Sequence, residues 1–482
     1  MNFRMIKQIL GWILLFEAMF LLIPLVTALV YHEMQEALDF LISIGLCLAT
    51  GGLFMIGKPK TKTLYAREGF VIVSLSWLVL SLFGSLPFLI SGAIPSFVDA
   101  FFETVSGFTT TGASILSSVE NLPKSILLWR SFTHWIGGMG VLVFIMAFIP
   151  LSGAYNMHLM KAESPGPSVS KLVPKVKTTA LILYSIYIAL TLLEFIVLIC
   201  AGMSVFDSIN AAFGTAGTGG FAIKNNSFDG YSPALQIIVT VFMLIFSINF
   251  NSYYLILRGK LKDAFNSEVR WFLAVVAGAI AVVTLNISSM YGSISEALRH
   301  AAFSVSSIVS TTGYATQDFD LWPAFSKIIL LLAMFMGACA GSTGGGVKVS
   351  RLLILFKSAK RELNRMIHPK KIENVTIDGR PVGDDVCRSV ISYFGCYMLL
   401  FAGSVTILSL DPSLGSGDLV TGFTSVLTTL SNVGPGLAQV GPTQNFAFFS
   451  PFSKLLLTFN MLAGRLELFP MILLFSPVTW KK

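Results

Sequence analysis

Four short stretches rich in threonine, serine and glycine could bind a cation through their backbone carbonyl oxygens. They lie roughly a hundred residues apart, each between two apolar runs: residues 109–114 (Thr-Thr-Thr-Gly-Ala-Ser), 217–221 (Gly-Thr-Gly-Gly-Phe), 310–314 (Ser-Thr-Thr-Gly-Tyr) and 431–435 (Ser-Asn-Val-Gly-Pro). Unpaired carbonyls in hydrocarbon cost several kcal/mol each, so such loops need water or protein around them. Four loops that line one hole could coordinate a dehydrated cation. The pattern therefore predicts a cation pore.

The four stretches keep a regular distance from the residues before them, as repeats would. Phe102, Ile209, Phe303 and Thr424 each stand ten residues before Gly112, Gly219, Gly313 and Gly434, respectively. One such glycine could be only a helix cap, but four in register favour a shared site. The residues predicted to form the ion filter are Thr110, Thr111, Gly112, Thr218, Gly219, Thr311, Thr312, Gly313, Asn432, Val433 and Gly434.

The composition is that of a polytopic membrane protein. The 482 residues are 54% hydrophobic and 12% charged, with a mean hydropathy of +0.76, which lies outside the range of soluble domains. Apolar runs long enough to cross a bilayer predict ten spans, at about residues 10–30, 39–57, 69–91, 126–150, 179–202, 233–256, 270–291, 324–356, 387–409 and 450–476. The predicted fold is an all-α polytopic membrane protein.

Four segments between these spans are too short to cross, at residues 98–111, 206–218, 294–312 and 419–433. Each is interpreted as a short helix that enters and leaves on one side. An acid opens each of them, namely Asp99, Asp207, Glu296 and Asp418, and the negative C-terminal end of each helix would face its loop and favour a cation. We expect an N-terminal helix pair (1–62) and four helix–loop–helix units, at 63–150, 151–262, 263–371 and 372–482.

Basic residues collect in alternate loops, which predicts the orientation of the chain. The net charge of +8 is carried mainly by Lys58, Lys60, Lys62 and Arg67, by Lys161, Lys171, Lys175 and Lys177, by Arg258, Lys260, Lys262 and Arg270, and by a run from Lys357 to Arg380. Loops rich in lysine and arginine stay in the cytoplasm. Both termini are therefore predicted to be cytoplasmic and the four polar stretches to lie on the outer side. The placement does not favour nucleic acid as a partner.

A run of glycines interrupts the second span of the third unit, and we expect this break in that unit alone. Residues 337–348 read Gly-Ala-Cys-Ala-Gly-Ser-Thr-Gly-Gly-Gly-Val-Lys, and each glycine lowers helix propensity by roughly 1 kcal/mol. A nucleotide-binding loop is excluded, because glycine does not directly precede Lys348 and no Ser or Thr follows it. We interpret Gly341, Ser342, Thr343, Gly344, Gly345, Gly346 and Lys348 as a gate, against the alternative of a passive kink.

Arg465 lies in the middle of the last span, where a charge is costly and by default functional. In one interpretation Arg465 faces the pore as a fixed positive barrier. In the other it pairs with Glu467 or with a loop carbonyl and only holds units together, although residues two apart do not share a helix face. Outside the spans, alternation around Asp378-Gly379 predicts a small β-hairpin, either a docking edge for a cytosolic partner or a solvated loop.

The chain is similar to a known family. Residues 106–114 (Ser-Gly-Phe-Thr-Thr-Thr-Gly-Ala-Ser), 341–348 (Gly-Ser-Thr-Gly-Gly-Gly-Val-Lys) and 464–470 (Gly-Arg-Leu-Glu-Leu-Phe-Pro) resemble the TrkH/KtrB family of bacterial potassium-uptake subunits, within the Trk/Ktr/HKT superfamily. The similarity covers essentially the whole chain, and the extra N-terminal helix pair resembles the TrkH branch.

The resemblance implies four helix–loop–helix units around a pseudo-fourfold pore, assembled as a homodimer in the bacterial inner membrane. It implies one filter glycine per loop, at Gly112, Gly219, Gly313 and Gly434, with K⁺ held by these glycines and by Thr111, Thr218, Thr312 and Val433 before them. It also implies a gating loop in the third unit with Arg465 near it. A cytosolic ring of TrkA-type subunits that bind NAD(H) or ATP/ADP would dock on the basic face, and no organic cofactor is expected in this chain. The fourth loop departs from the Thr-Gly pattern of the other three, because it has Val433 before Gly434 and Pro435 after it.

Three functions are weighed from these observations. The favoured one is a channel-like K⁺ uptake protein. The second is a secondary transporter that couples K⁺ to Na⁺ or H⁺, with Glu17, Glu194 and Glu467 as candidate coupling sites. The third, a non-transporting scaffold, leaves the polar loops unexplained. An enzyme is not expected, because no HExxH, GxSxG or paired-carboxylate pattern is present in the sequence.

Overall fold

The structure, a computed structural model, describes residues 1–57, 65–140, 176–371, 373–415 and 418–480. The basic residues Lys58, Lys60, Lys62, Lys161, Lys171 and Lys175 lie outside the described residues, as does the end of the predicted span 126–150. The side chain of Lys177 is also not described.

The described chain is mainly helical, with one two-stranded hairpin, which confirms the predicted fold class. The N-terminal pair comprises Phe3–Phe20 with Leu22–Val30, and then Met34–Met55. The first spans of units 1 to 4 are Ala66–Gly84 with Leu86–Ile90, Val176–Cys200, Ser267–Ile287 and Asp384–Leu408. The second spans begin with Lys124–Gly138, Pro233–Ser247, Ala324–Met336 and Pro451–Arg465. Peripheral turns of helix are Leu261–Ala264, Ser288–Met290, Phe319–Leu321, Ala438–Val440 and Pro477–Trp480.

Six of the described helices are long and apolar enough to cross a membrane, namely those of the N-terminal pair and the first spans of the four units. The second span of unit 2 would be a seventh, but it bends by 91° between Pro233–Ser247 and Phe250–Leu257. The N-terminal pair and the first spans are therefore long enough to cross a membrane, whereas the described helices of the second spans are shorter or bent.

Interruption is shared by the second spans of units 2, 3 and 4, so the prediction of a break in unit 3 alone is wrong. In unit 3 the helix stops at Met336 and restarts as Val349–Ile367, and in unit 4 it stops at Arg465 and restarts as Phe469–Phe475. Glu467 and Leu468 have φ of 57° and 66°, a left-handed conformation that stops a helix. In unit 1 the helix ends at Gly138, and the description of that unit stops at residue 140.

The four short helices lie where the sequence predicts them, at Phe97–Phe108, Val205–Gly217, Ile294–Val309 and Leu419–Ser431. Their first turns are capped by side chains: Ser96, Ser204, Ser293 and Asp418 each accept a hydrogen bond from the backbone N–H three residues on. Such caps satisfy amide groups that the helix leaves unpaired.

Each short helix packs against the second span of the preceding unit, and the first short helix packs against the second span of unit 4. This packing is cyclic, so it closes the four units around one centre. The N-terminal pair packs outside the ring, chiefly on the first span and second span of unit 1.

The predicted hairpin is present. Thr376–Ile377 pairs antiparallel with Arg380–Pro381, and Asp378 and Gly379 between them have φ of 50° and 73°, as a two-residue hairpin turn requires. The Asp378 carboxylate accepts hydrogen bonds from the backbone N–H of Ser267 at 2.7 Å and from its hydroxyl at 2.6 Å. The hairpin tip therefore caps the first span of unit 3.

Candidate ion pathway

All four loops begin with the same helix-ending turn. The first residue of each turn is left-handed: Thr110, Thr218, Thr311 and Asn432 have φ between 54° and 60°. The next residue donates its backbone N–H to the carbonyl five residues earlier, Thr111 to Ser106, Gly219 to Gly214, Thr312 to Ser307 and Val433 to Thr428, at 2.8–2.9 Å. This is the Schellman arrangement, usually built on glycine. A β-branched threonine held there in three loops is strained backbone, which concentrates at functional sites.

The turns fix the register between the loops, and the register corrects one prediction. Thr218 occupies the place of Thr110, so Gly219 is equivalent to Thr111, Thr312 and Val433, and the glycine equivalent to Gly112 is Gly220. The sequence-based alignment of Gly219 with Gly112 is therefore wrong by one residue. Gly220 has a φ of 76°, close to the 79° of Gly112, which confirms the shift.

The glycines and the carbonyls before them close a ring. A Cβ atom added to Gly112 would overlap the carbonyl oxygen of Gly219, and one added to Gly220 would overlap that of Thr312. The same relationship joins Gly313 to the Val433 carbonyl, and Gly434 to the Thr111 carbonyl at 2.6 Å. Four equivalent carbonyls therefore lie in one layer, each against the glycine of the preceding loop. Only glycine fits at these four places, since φ is positive and no space exists for a side chain.

The fourth loop differs from the others in how its carbonyl is held. The Thr428 hydroxyl donates a 2.5 Å hydrogen bond to the Gly434 carbonyl, whereas Ser307, at the equivalent position, donates at 2.6 Å to the carbonyl of Tyr314, one residue further along loop 3. One lone pair of the Gly434 carbonyl is therefore occupied within its own unit.

A cavity of about 140 Å³ opens on the predicted outer side of the ring, with Gly112, Gly220, Gly313 and Gly434 all in its wall. The rest of its lining is mainly polar, and includes Ser114, Lys224, Asn225, Gln444 and Asn445. This cavity gives water access to the glycine layer.

Sequence reasoning missed a buried ion pair behind loops 1 and 2. The Arg130 Nε lies 2.6 Å from Glu103 Oε1, and the two side chains are 4% and 0% exposed. Glu103 lies in the middle of the first short helix, within the predicted short segment 98–111. His134, one turn after Arg130, also contacts loop 2 through Phe221. An arginine and a histidine four apart in an apolar span were the available signal, since charges within spans are by default functional.

The glycine-rich break of unit 3 lies directly under loops 3 and 4. The backbone N–H of Gly345 donates a 2.6 Å hydrogen bond to the Thr311 hydroxyl. A Cβ added to Gly344 would stand 2.7 Å from the carbonyl oxygen of Ser310, and one on Gly345 would overlap that of Ser431. The Lys348 ammonium donates to the Gly344 carbonyl of the same break. The break therefore fills the space where the third and fourth short helices end.

The breaks of units 2 and 3 satisfy each other's backbone. Cys339 donates its N–H to the Ser247 carbonyl at 3.1 Å, and Phe250 donates to the Gly341 carbonyl at 3.0 Å. The Thr343 hydroxyl donates to the Phe246 carbonyl at 3.2 Å. Non-helical backbone at membrane depth is tolerated where protein supplies such partners.

Arg465 donates to backbone carbonyls of two other units. Its guanidinium nitrogens lie 2.8 Å from the Thr343 carbonyl in the break of unit 3, and 2.5 and 2.8 Å from the carbonyls of Gly137 and Gly138 in unit 1. Glu467 instead pairs with Arg351, whose Nη1 lies 3.0 Å from Glu467 Oε1, so the suggested Arg465–Glu467 pair is wrong. The suggested bond to a loop carbonyl is confirmed.

A second cavity, of about 100 Å³, lies at the level of these breaks. All four second spans contribute to its wall, through Gly138 to Gly140, Phe250, Gly341, Ser342, Gly344 to Gly346, Lys348, and Gly464 to Glu467. Its walls carry two cationic groups, Lys348 and Arg465, and one carboxylate, Glu467, that is already paired with Arg351. A cation in this cavity would meet net positive charge.

Helices long enough to cross a membrane surround four short helices with their loops, a ring of equivalent carbonyls, and one cavity on each side of this ring. These features define a polytopic helical membrane protein with a candidate cation pathway. A family model described as "TrkH: Cation transport protein" matches residues 33–482. The Trk system potassium uptake protein TrkH of Escherichia coli strain K12 is 37% identical over 492 residues, with 100% of both chains covered. TrkG of the same strain is 33% identical, with 99% of both chains covered.

A solved structure agrees with these relatives. The crystal structure of the potassium transporter TrkH from Vibrio parahaemolyticus matches with a TM-score of 0.89, at 33% identity and with 100% of both chains covered. The chain therefore belongs to the TrkH family of cation transport proteins.

Proposed function

We propose that this protein is a potassium-uptake subunit of the bacterial inner membrane that conducts K⁺, channel-like, through the ring of loops. The single observation that carries the proposal is the layer formed by the carbonyls of Thr111, Gly219, Thr312 and Val433. Carbonyl oxygens replace the hydration shell of K⁺, and the C-terminal ends of the short helices add negative potential. The similarity to the potassium uptake protein TrkH of Escherichia coli supports K⁺ as the ion.

In this proposal the break of unit 3 is the gate. Gly344 and Gly345 press against loops 3 and 4 from the inner side, and Arg465 ties the break to unit 1. An ion that leaves the ring must displace the break and pass the charge of Arg465.

The proposed assembly follows the family resemblance. Both termini and the basic segment from Lys357 to Arg380 face the cytoplasm, where a ring of TrkA-type subunits that bind NAD(H) or ATP/ADP would dock and move the gate. The membrane subunit itself would be a homodimer. Within this segment Lys371 pairs with Glu373 and Lys357 donates to the Thr376 carbonyl. The exposed Lys360 and Lys370 would be available to an acidic partner.

The test is reconstitution of the purified full chain into liposomes, with K⁺ flux measured under separate K⁺, Na⁺ and pH gradients. We expect a K⁺ flux that follows the K⁺ gradient and is indifferent to the other two. A flux driven by a Na⁺ or pH gradient would instead identify a coupled transporter. Gly112→Ser and Gly313→Ser should lower K⁺ flux or the preference for K⁺ over Na⁺. Gly278→Ser is the matched control, since its added Cβ has no heavy atom within 4 Å.

A further inference from the structure

The buried pair of Glu103 and Arg130 reaches the backbone of two loops at once. Glu103 Oε1 accepts from the Ser114 hydroxyl and Oε2 accepts from the Ile115 backbone N–H, both at 2.9 Å, so the carboxylate holds loop 1 just beyond Gly112. The Arg130 Nη1 donates at 2.9 Å to the carbonyl of Ala222, just beyond Gly220 in loop 2. The guanidinium also stacks on the Phe221 ring, 3.7 Å from its centroid.

His134 strengthens the same connection from one turn further along the helix. Its Nδ1 lies 2.7 Å from the Gly107 carbonyl, and its Nε2 accepts from the Phe221 N–H at 3.2 Å. Its ring occupies the place of a side chain at Gly219. This explains why loop 2 has glycine where the other loops have Thr111, Thr312 and Val433.

We call Glu103, Arg130 and His134 the brace, and among the described short helices only that of unit 1 has an acid at the position of Glu103. The positions equivalent to Glu103, eight residues before the second loop residue, are Ala211, Ser304 and Ser425, none of which can carry a charge. Loops 3 and 4 are supported from the inner side by the break that contains Gly345. Loops 1 and 2 therefore depend on a rigid side-chain brace, while loops 3 and 4 rest on a segment proposed to move.

We propose that Glu103 and Arg130 are positioning residues that set the spacing of loops 1 and 2, and thereby the preference of the pathway for K⁺ over Na⁺. This inference rests on the proposed function. A buried charge pair with full hydrogen bonding is rigid and specific in geometry. A rigid ring keeps its carbonyls at the distance that suits the larger ion, whereas a loosened ring contracts around the smaller one.

The test uses two variants of the full chain in liposomes. Arg130→Lys keeps the charge opposite Glu103 but removes the guanidinium group, whose Nη1 donates to the Ala222 carbonyl. Ser114→Ala removes one hydrogen bond on loop 1 without a change of charge. The matched control is Asp99→Asn, which removes the charge from the partly buried 2.6 Å pair between Asp99 of the same short helix and Lys454 of the second span of unit 4. The readouts are the ratio of K⁺ to Na⁺ flux and thermal unfolding in detergent.

We expect Arg130→Lys to lower the flux ratio by about tenfold, since a hydrogen bond to a charged group is lost, and Ser114→Ala to lower it less, while K⁺ still passes. Asp99→Asn should lower thermal stability and leave the ratio unchanged. A wild-type ratio of K⁺ to Na⁺ flux in both Arg130→Lys and Ser114→Ala would overturn the inference. If Arg130→Lys does not fold, a wild-type ratio in Ser114→Ala alone would overturn it. Absence of K⁺ flux in the wild type would instead contradict the proposed function.

Discussion

The backbone N–H of Gly345 and the hydroxyl of Thr311 are joined by a 2.6 Å hydrogen bond, so the glycine-rich break is bonded directly to loop 3. Both groups are buried. Movement of the break must rupture this bond, and a change in loop 3 must reach the break through it. The bond therefore couples the two elements that we propose as filter and gate.

Replacement of Thr311 by valine should raise basal K⁺ flux. Valine keeps the shape but leaves the Gly345 N–H without an acceptor, a cost of about 1–3 kcal/mol. If this cost falls on the closed state, the open population rises by about fivefold or more. Flux in liposomes without a cytosolic partner measures it. Thr218→Val is the matched control, because the Thr218 hydroxyl donates to the adjacent Gly217 carbonyl within its own loop. Equal effects of the two variants would contradict the coupling.

Substitutions of Arg465 should show whether its charge or its hydrogen bonds to the carbonyls of Thr343, Gly137 and Gly138 limit the basal flux. Arg465→Gln removes the charge and keeps donors, whereas Arg465→Lys keeps the charge and loses the reach to three carbonyls. Two unit charges 4 Å apart repel by about 4 kcal/mol at an effective dielectric constant of 20. We therefore expect Arg465→Gln to raise basal flux by about tenfold or more and Arg465→Lys to leave it low. A high flux in Arg465→Lys would show that the hydrogen bonds to Thr343 and Gly137 limit the flux more than the charge does.

Acid should destabilise the start of the last second span. Burial alone would raise the pKa of Asp411, but hydrogen bonds from Ser450, Ser453 and Ser413 outweigh it and hold the pKa well below its ordinary value. Asp411 therefore contributes stability in full above its unfolded pKa of about 3.9. This stability declines as pH falls below that value and is lost completely only below the lower folded pKa.

Thermal unfolding in detergent between neutral pH and pH 3 tests the role of Asp411. Asp411→Asn should be less stable at neutral pH by about 1–3 kcal/mol and should lose part of the acid dependence. Ser409→Ala is the control, because the Ser409 hydroxyl donates to the Thr406 carbonyl of its own helix. An acid dependence identical to that of the wild type would count against this assignment.

The local elements could be predicted from the sequence because local rules determine them. The four short helices match to within three residues at either end, since an acid or serine cap opens each and a Thr/Ser/Gly turn closes it. The hairpin followed from Asp378-Gly379. The glycines at 344–346 showed the break of unit 3.

The remaining features depend on contacts between units, which one sequence does not display. The bend between Ser247 and Phe250 lies in an apolar run without glycine or proline and is stabilised by Cys339 and Gly341 of unit 3. Glu103 and Arg130 are 27 residues apart, and only packing brings them together. Loop 2 contains two consecutive glycines, so spacing alone could not choose between Gly219 and Gly220.

A compensating double substitution can establish which glycine of loop 2 belongs to the ring. Gly220 has positive φ, and a Cβ there would overlap the Thr312 carbonyl of the next loop, so Gly220→Ala should abolish selective flux whatever else is changed. A Cβ on Gly219 would overlap only the His134 ring among its nearest neighbours.

Gly219→Ala should therefore impair K⁺ flux, and His134→Ala in the same chain should restore part of it, because the methyl group then occupies space that the imidazole leaves. Flux ratios and thermal unfolding of both single variants and the double variant measure this coupling as a double-mutant cycle. The double variant loses the Phe221–His134 hydrogen bond, so full recovery is not expected. The register derived from the helix-ending turns would be overturned by two results together: a K⁺ flux in the double variant no higher than in Gly219→Ala, and a functional Gly220→Ala. Gly219 would then be the glycine equivalent to Gly112.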